Sequence, residues 1–332
     1  MEPNQEFEGL YQSMEKSKII IYVSSRNNYD MVEGAVLKNI PLDGYEFVNV
    51  DDESELEEQA KGKEQAERLG FTYLQNNGRG VQYATQTVVD WVRENRPECK
   101  WLVCFQHDIW PMQKDFFDRM NAHVSDPKFN NVGLIGFNVL DRGGYTGKAL
   151  SRYESGDSNV KGMIGMAHLS IRSNSARWIC PIRQPKLINH EGFDTLFQVE
   201  FPMWAAIGIN VNQWTNHIQP TEDYQFHLWL PDIAMQFNYK NLPSVILPDL
   251  YCLNDQQEKA KFGINPNSAQ GAMKGNSRHF GEYGQHLINW YKRWGWDYEN
   301  TTTFDQVKSH YENTLIRKYF DHNINEGPLK PW

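Results

Sequence analysis

The sequence has little cysteine and no closely spaced cysteine pair. Four cysteines occur in 332 residues, and no two of them form a Cys-x-x-Cys motif. They are Cys99, Cys104, Cys180 and Cys252. Structural zinc sites usually show such pairs, so we expect no structural zinc ion. The pattern predicts reduced, mostly buried thiols, as is usual for cytosolic proteins.

The sequence also has no long apolar run. A membrane-spanning helix needs roughly 18 or more consecutive apolar residues, and no such segment occurs, so we expect no membrane partner. Residues 1–8 are acidic and have no apolar centre, which is not the pattern of a secretory signal. We therefore expect a cytoplasmic protein, which for a viral chain means the host cytoplasm.

Basic residues are the minority among the charges. The 33 Lys and Arg against 42 Asp and Glu give a formal net charge of -9. This balance argues against a generic nucleic-acid coat protein, whose affinity comes from neutralising phosphates. It leaves room for a local basic groove, for which residues 177–186 and 274–293 are the candidate segments.

What the sequence does have is a regular alternation of apolar runs and helical stripes up to Asp108. The apolar runs cover residues 18–23, 45–50, 71–74 and 101–105. Helical patterns separate them, so the order of elements is β-α-β-α-β-α-β. This order predicts an α/β fold with a parallel sheet between two layers of helices. A Ser at 54 and a Glu at 57 predict a capping box at the second helix.

Each of the four predicted strands ends in a polar cluster. The clusters are residues 24–28, 51–52, 76–79 and 106–108. In parallel α/β sheets, ligands bind beyond the carboxyl ends of the strands. Because those ends meet at one edge of the sheet, the sequence predicts a binding site there.

The second half of the chain is less regular. Residues 132–137, 163–171 and 244–247 have the composition of strands, residues 254–282 that of a mobile loop, and residues 303–320 a helical stripe. Pro231 predicts a break or kink in a helix over 226–237. We expect an N-terminal lead at 1–17, a nucleotide-sugar-binding half at 18–130, an acceptor-binding and catalytic half at 131–250, and a flexible loop with C-terminal helices at 251–332.

Several short motifs resemble those of family 2 glycosyltransferases of the GT-A fold. The segment Val48 to Ser54 is similar to the family's Val-Asp-Asp-Gly-Ser signature, with Glu53 in place of Gly. Gly80, Ala84 and Gln86 fall on the family's Gly…Ala…Asn spacing, with Gln in place of Asn. The resemblance spans about residues 18–250, and it lies in the order and spacing of the motifs.

Two further motifs carry the resemblance. Residues 101–108 resemble the strand that leads into the family's Asp-x-Asp motif, although Gln106-His107-Asp108 keeps only the last carboxylate. Residues 221–226 resemble the Glu-Asp motif that opens the helix behind the acceptor site. The resemblance implies a GT-A-like, Rossmann-type mixed sheet flanked by helices, with an acceptor-side half and a C-terminal helical tail.

The resemblance also implies which residues bind a nucleotide-sugar donor, with a UDP-sugar as the first expectation on family frequency. The donor-binding candidates are Ser24, Arg26, Asp51, Asp52, Asn77, Arg79, Gln106 and His107. Asp51 or Asp52 would accept hydrogen bonds from the base or the ribose. Arg79 either reaches the diphosphate, whose geometry a guanidinium matches, or is an ordinary surface arginine.

A departing nucleoside diphosphate carries negative charge, which a divalent cation can stabilise. Asp108 is the predicted ligand of that ion, with water or His107 assisting, and Mn²⁺ or Mg²⁺ suits an oxygen-rich shell. The acceptor hydroxyl must lose its proton as it attacks the sugar. In the inverting family that the chain resembles, an Asp of the Glu-Asp motif takes this proton, so Asp223 is the first candidate base and Glu222 the second.

The sequence therefore predicts a metal-dependent hexosyl- or pentosyltransferase, and two alternatives stay open. One is a nucleotidyltransferase of similar fold, although the glycine-rich loop of that class is missing after the first strand. The other is a non-catalytic sugar- or nucleotide-binding module, since the Asp-x-Asp motif is incomplete. The acceptor is unassigned. The size of the chain is similar to that of phage-type enzymes that glycosylate hydroxymethylcytosine in DNA, which makes modified DNA one candidate.

Overall fold

The computed structural model describes residues 18–142, 147–157, 160, 162–166, 196–199, 201–203, 205–223, 228–262, 286, 289–290, 292–294 and 330–331. Its strands are β1 (Ile19–Ser25), β2 (Glu46–Asp51), β3 (Thr72–Gln75), β4 (Trp101–Phe105), β5 (Ile109–Pro111), β6 (Leu134–Arg142), β7 (Gly165–Met166), β8 (Phe197–Val199), β9 (Phe201–Pro202), β10 (Ala206–Asn210), β11 (Ser244–Asp255) and β12 (Lys330–Pro331).

The described helices lie between these strands. They are α1 (Tyr29–Met31), which continues into a π-helical turn at Val32–Leu37, α2 (Leu56–Leu69), α3 (Gly80–Asn95), α4 (Phe116–Val124), α5 (Gly147–Glu154), α6 (Val211–His217), α7 (Trp229–Tyr239) and α8 (Gln256–Lys261). A 3-10 turn covers Pro127–Asn131. None of the described helices is long and apolar enough to cross a membrane.

Within the described residues, ten strands form one mixed sheet. Nine of them follow the order β12-β8-β11-β6-β10-β4-β1-β2-β3, and β5 pairs with β11 at the side. Strands β3, β2, β1 and β4 are parallel, as the sequence predicts, and the α/β fold class is confirmed. The register pairs Ser25 with Asp51 and Val23 with Phe105, so the carboxyl ends of these strands lie side by side.

Strand β1 shows why the parallel strands are continuously apolar. Ile20 and Tyr22 point to one face of the sheet, into a core to which α3 and α7 also contribute. Ile19 and Ile21 point to the other face and join a second core with α1 and α4. Because successive side chains alternate between two buried faces, every position of the strand must be apolar.

The beginning and end of helix α2 differ in how well local pattern predicts them. The helix ends at Gly70, which has a left-handed φ of 75°, as expected for a glycine after a last turn. The predicted capping box at its start is wrong. Glu55 is the capping residue and no side chain caps the helix. The hydroxyl of Ser54 instead accepts a hydrogen bond from the backbone N of Asn27 at 2.9 Å.

The second half of the sheet is built differently. Strand β10 runs antiparallel to both β4 and β6, while the long strand β11 runs parallel to β6 with an irregularity between Leu247 and Tyr251. Pro231 does not kink a helix, because α7 begins at Trp229 and a proline in the first turn sacrifices no hydrogen bond.

The loop predicted over 254–282 is wrong at its start, because β11 extends to Asp255 and α8 follows directly. The rest of that loop and the predicted helical tail at 303–320 lie outside the described residues. Cys99, Cys104 and Cys252 are buried free thiols, as predicted, and Cys180 is not among the described residues. The division of the chain into domains stays a prediction.

Candidate active site

Three neighbouring strands are joined by polar side chains at their carboxyl ends. Nε2 of His107, which follows β4, lies 2.9 Å from the hydroxyl oxygen of Ser25 in β1. That hydroxyl donates to Oδ1 of Asn49 in β2 at 2.5 Å. Since the serine proton goes to Asn49, its oxygen accepts from the protonated Nε2 of His107. Burial lowers the pKa of His107 to about 4, so the ring is neutral at physiological pH.

Asp51, at the end of β2, is held entirely by the protein. The side chain has no exposed surface. Its Oδ2 accepts from the Tyr29 hydroxyl at 2.6 Å, and its Oδ1 accepts from the backbone N of Ser54 at 3.0 Å. Burial, with the Asp51 hydrogen bond and charge added, raises the pKa of Tyr29 far above its usual range. This pair fixes the turn from which Asp52 and Glu53 project.

Asp52 connects that turn to helix α3. Its Oδ1 accepts from Nδ2 of Asn76 at 2.7 Å and from the backbone N of Gly80 at 3.0 Å. Gly80 begins α3, so the carboxylate lies at the positive end of the helix dipole. Burial raises the pKa of Asp52, and the two hydrogen bonds partly oppose that rise.

Glu53 lies between two arginines. Its Oε1 accepts from Nε of Arg79 at 2.8 Å, and its Oε2 lies 3.7 Å from a terminal nitrogen of Arg26. Arg26 is only 6% exposed, and its Nε has no hydrogen-bond partner. Glu53 has a left-handed φ of 59°, which explains why a glycine is the usual residue in the signature that this segment resembles. The two guanidinium groups therefore share one carboxylate at the rim of the sheet.

The predicted Glu-Asp motif reaches the same place from the far end of the chain. Oε1 of Glu222 accepts from the backbone N of Arg79 at 3.1 Å. Thr221 donates its backbone N–H to Oε1 of Gln82, in the first turns of α3, at 3.0 Å. The structure thus brings Asp52, Arg79 and Glu222 together, although 143 positions separate Arg79 from Glu222.

Asp223 lines a surface pocket with a volume of ≈ 560 Å³. The other lining residues are Gln219, Pro220, Thr221, Asn289, Lys292 and Arg293. The backbone O of Asp223 accepts from Nδ2 of Asn289 at 3.1 Å, which ties the motif to the C-terminal part of the chain. Helix α7 begins after this motif at Trp229, and residues 224–227 are not among those described.

A buried carboxylate that the sequence analysis missed supports this region. Asp232 in α7 has no exposed surface and binds side chains from three segments. It accepts from Gln82 at 3.1 Å, Gln236 at 2.8 Å and Trp294 at 2.9 Å, and it pairs with Arg293 at 3.2 Å. Because Gln82 also binds Thr221, Asp232 positions the loop that carries Glu222 and Asp223. The available sequence signal was a single acid within the apolar run 228–235.

Asp108 lies in the turn between β4 and β5 and is engaged by helix α8. Its Oδ2 accepts from Nζ of Lys259 at 2.7 Å and from Nε2 of Gln256 at 3.3 Å. Lys259 could not be predicted as a partner, because no local sequence pattern connects it to a residue 151 positions earlier.

The remaining donor-binding candidates lie in the end of β1 and in the loops around this rim. Ser24 and Gln106 are half-buried, and Asn77 is exposed. The backbone N of Gln106 donates to the carbonyl of Ala205 at 3.1 Å, and that of Asn77 donates to the hydroxyl of Thr87 at 3.0 Å.

A divalent cation at this rim would need several ligands, chiefly oxygen for Mg²⁺ or Mn²⁺. In the part of the chain that the structure describes, no three His, Cys, Asp or Glu side chains are grouped as a metal site. Oδ2 of Asp108 already accepts from Lys259, and Nε2 of His107 faces Ser25. In this arrangement the described residues do not fit a resident metal ion.

No protein-family model and no curated protein matches the chain. Among solved structures, it is similar to GalNAc-T7 with UDP, GalNAc and Mn²⁺, at 10% identity and a TM-score of 0.49 over 72% of this chain and 44% of that one. It is also similar to the mannosyltransferase PcManGT from Pyrobaculum calidifontis in complex with GDP-Man and Mn²⁺, at 12% identity and a TM-score of 0.47 over 91% of this chain and 69% of that one. Likeness at this level transfers no residue role, and the α/β architecture is established by the sheet topology itself.

Proposed function

We propose that the chain is a glycosyltransferase that moves a hexosyl or pentosyl group from a nucleotide sugar, with a UDP-sugar as the first candidate, to an acceptor hydroxyl with inversion at the anomeric carbon. One observation carries the proposal. Arg26 and Arg79 share the carboxylate of Glu53 at the carboxyl rim of a parallel sheet, where α/β folds bind ligands.

Arg26 and Arg79 are the proposed contacts of the donor diphosphate. A guanidinium that is 6% exposed and leaves its Nε without a partner is costly unless an anion uses it. A diphosphate would offer both guanidinium groups pairs of oxygens with matching geometry. Asp52 and Glu222 also lie near Arg79, so the unpartnered Nε of Arg26, and not a surplus of positive charge, favours an anion here.

The nucleoside would lie over the neighbouring strand ends. Because Asp51 has no exposed surface, we place the base or ribose contact on Asp52 and give Asp51 the task of holding the turn. Ser24, Asn77, Gln106 and His107 are the remaining donor-binding candidates around this rim. A neutral His107 would offer hydrogen bonds and no charge to the ligand.

Asp223 is the proposed general base, with Glu222 as the alternative. The base removes the proton of the acceptor hydroxyl while its oxygen bonds to the anomeric carbon, and the bond from that carbon to the diphosphate breaks with its electron pair leaving on the nucleotide. Glu222 already accepts a hydrogen bond from Arg79 at 3.1 Å, whereas Asp223 lines the open pocket. This difference favours Asp223.

The proposal also includes an acceptor and a metal requirement. Lys292 and Arg293, from the basic segment predicted at 274–293, line the pocket beside Asp223, where Lys292 would contact a DNA phosphate while Arg293 stays paired with Asp232. Hydroxymethylcytosine in DNA is therefore the first acceptor to test. Dependence on Mn²⁺ or Mg²⁺ through Asp108 stays a prediction from the resemblance, and it would require the cation to compete with Lys259 for that carboxylate.

The test is to incubate the full chain with UDP- and GDP-sugars, with and without Mn²⁺, and with hydroxymethylcytosine DNA or unmodified DNA. Release of nucleotide and transfer of label to the DNA are measured separately. Release without transfer would support the donor site and reject this acceptor. Binding of nucleotide sugars without release under any condition would favour a non-catalytic binding module.

A further inference from the structure

Helix α8 delivers a lysine to the candidate metal carboxylate. Nζ of Lys259 lies 2.7 Å from Oδ2 of Asp108, and the two side chains are only 14% and 8% exposed. Exposed ion pairs exchange freely with water, but a pair this buried is weakly screened, and loss of one partner leaves the other charge uncompensated. The Asp108–Lys259 pair is thus a fixed part of the rim.

The base of α8 is anchored so that Lys259 points back at Asp108. The backbone N of Asp255 donates to the carbonyl of Asp108 at 2.9 Å. Oδ1 of Asp255 then caps α8 by accepting from the backbone N of Gln257 at 3.2 Å and of Glu258 at 3.0 Å. Arg142 in β6 pairs with Oδ2 of Asp255 at 2.7 Å. One residue therefore binds both the turn of Asp108 and the first turn of the lysine's helix.

We infer that Lys259 is the resident counter-ion of Asp108 and that divalent cations bind this carboxylate only in competition with it. The ammonium at 2.7 Å from Oδ2 already neutralises this carboxylate, and a divalent cation at either carboxylate oxygen would be repelled by that positive charge. The chain holds its own positive charge at the position where the resemblance implies a metal. The inference rests on the proposed function only in taking Asp108 as the carboxylate that faces the donor.

A direct titration tests the competition without any reaction. Free Mn²⁺ is followed by electron paramagnetic resonance as it is added to the full chain at neutral pH without donor. The variants are Lys259→Met and Lys259→Gln, each with and without Asp108→Asn. The matched control is Lys261→Met, because Lys261 lies on the same helix but is 66% exposed and pairs with Glu258.

We expect Lys259→Met to bind Mn²⁺ about tenfold more tightly than the wild type or better, since the carboxylate loses its competitor. Adding Asp108→Asn should abolish that gain, and Lys261→Met should match the wild type. Lys259→Gln is one atom shorter but keeps a hydrogen-bond donor without the charge, so it should reproduce the gain even if the Met variant folds poorly. Equal Mn²⁺ affinity in the wild type and in Lys259→Gln would overturn the inference. Sugar transfer is not part of this readout, so a chain without transferase activity would leave the result interpretable.

Discussion

The two halves of the sheet differ in how they place functional side chains. Strands β4, β1, β2 and β3 are parallel and end in polar residues at one edge of the sheet; the first three are buried on both faces, and the edge strand β3 is half-buried. In the other half, β10 runs antiparallel to β4 and β6, β11 runs parallel to β6, and the functional side chains lie on the long connections. The parallel half concentrates charge where strands end, whereas the mixed half brings distant segments to that charge. We therefore expect donor binding to depend on the first half and proton removal on the second.

The largest expected effect concerns the mixed half. Asp223→Asn removes the proposed base but keeps the size and polarity of the side chain. Sugar transfer should fall by about 10²–10⁴-fold, the usual contribution of a general base, while donor affinity changes little. Single-turnover transfer and nucleotide-sugar titration measure the two quantities. Glu222→Gln is the matched control with a smaller expected loss, and wild-type turnover in Asp223→Asn would reject the assignment.

The buried support of the same region should show the next largest effect. Asp232→Asn leaves the Arg293 charge without its buried partner and places an amide N–H₂ among donors. The free energy of unfolding should fall by about 3 kcal/mol, as for other broken buried pairs. Denaturant titration measures it. Asp30→Asn serves as the control because Asp30 pairs with Lys61 while 71% exposed, and its loss should cost under about 1 kcal/mol.

The next prediction concerns donor affinity, which we expect to depend on the parallel half of the sheet. Arg26→Met removes a nearly buried guanidinium from the proposed diphosphate contact, and the dissociation constant of the nucleotide sugar should rise by about tenfold or more, as for other charge-assisted hydrogen bonds. Calorimetric titration measures it. Arg68→Met is the control, because Arg68 forms a surface pair with Glu33 on the outside of the helices. If Arg26→Met instead reduced transfer with unchanged donor affinity, the division between the two halves would fail.

The smallest expected effect is a gain in donor affinity, whereas the variants above lose activity, stability or affinity. Glu53→Gln keeps the shape of the side chain but removes the charge that Arg26 and Arg79 share. Without this internal competitor, the nucleotide sugar should bind about two- to fivefold more tightly, as expected for one partly exposed charge. Glu55→Gln, two residues further along the chain, should leave the affinity unchanged. Weaker donor binding in Glu53→Gln would show that Glu53 contacts the ligand itself.

The same comparison explains what the sequence could predict. The bounds of β4 are the same as those of the predicted run, residues 101–105, because a strand buried on both faces leaves an unbroken apolar signal. The polar ends of those strands predicted the rim that contains Asp52, Arg26 and Arg79. Periodicity is a local property, and these features are local.

Where a feature depends on contacts between distant residues, the prediction from the sequence was wrong or the feature was not predicted. Ser54 has the sequence of a helix cap, but its hydroxyl accepts from Asn27 across the rim, so tertiary structure overrides the local motif. Nothing local in the sequence shows which residues Lys259 and Asp232 contact. Lys259 binds Asp108, 151 positions earlier, and Asp232 binds Gln82, 150 positions earlier. The sequence shows Glu53 only as a departure from a family signature. The structure adds its positive φ and its position between two arginines.

The π-helical turn at Val32–Leu37 has a consequence for helix α8. A Cβ atom on Gly34, inside that turn, would lie 2.8 Å from the ring of Phe262, the residue that follows α8. Because Gly34 has no side chain, the ring of Phe262 packs directly against the π-helical turn. This contact holds the C-terminal end of the helix that carries Lys259. A methyl group at position 34 would force the ring of Phe262 to move and would disturb the end of the helix that carries Lys259, while leaving every residue of the rim chemically intact.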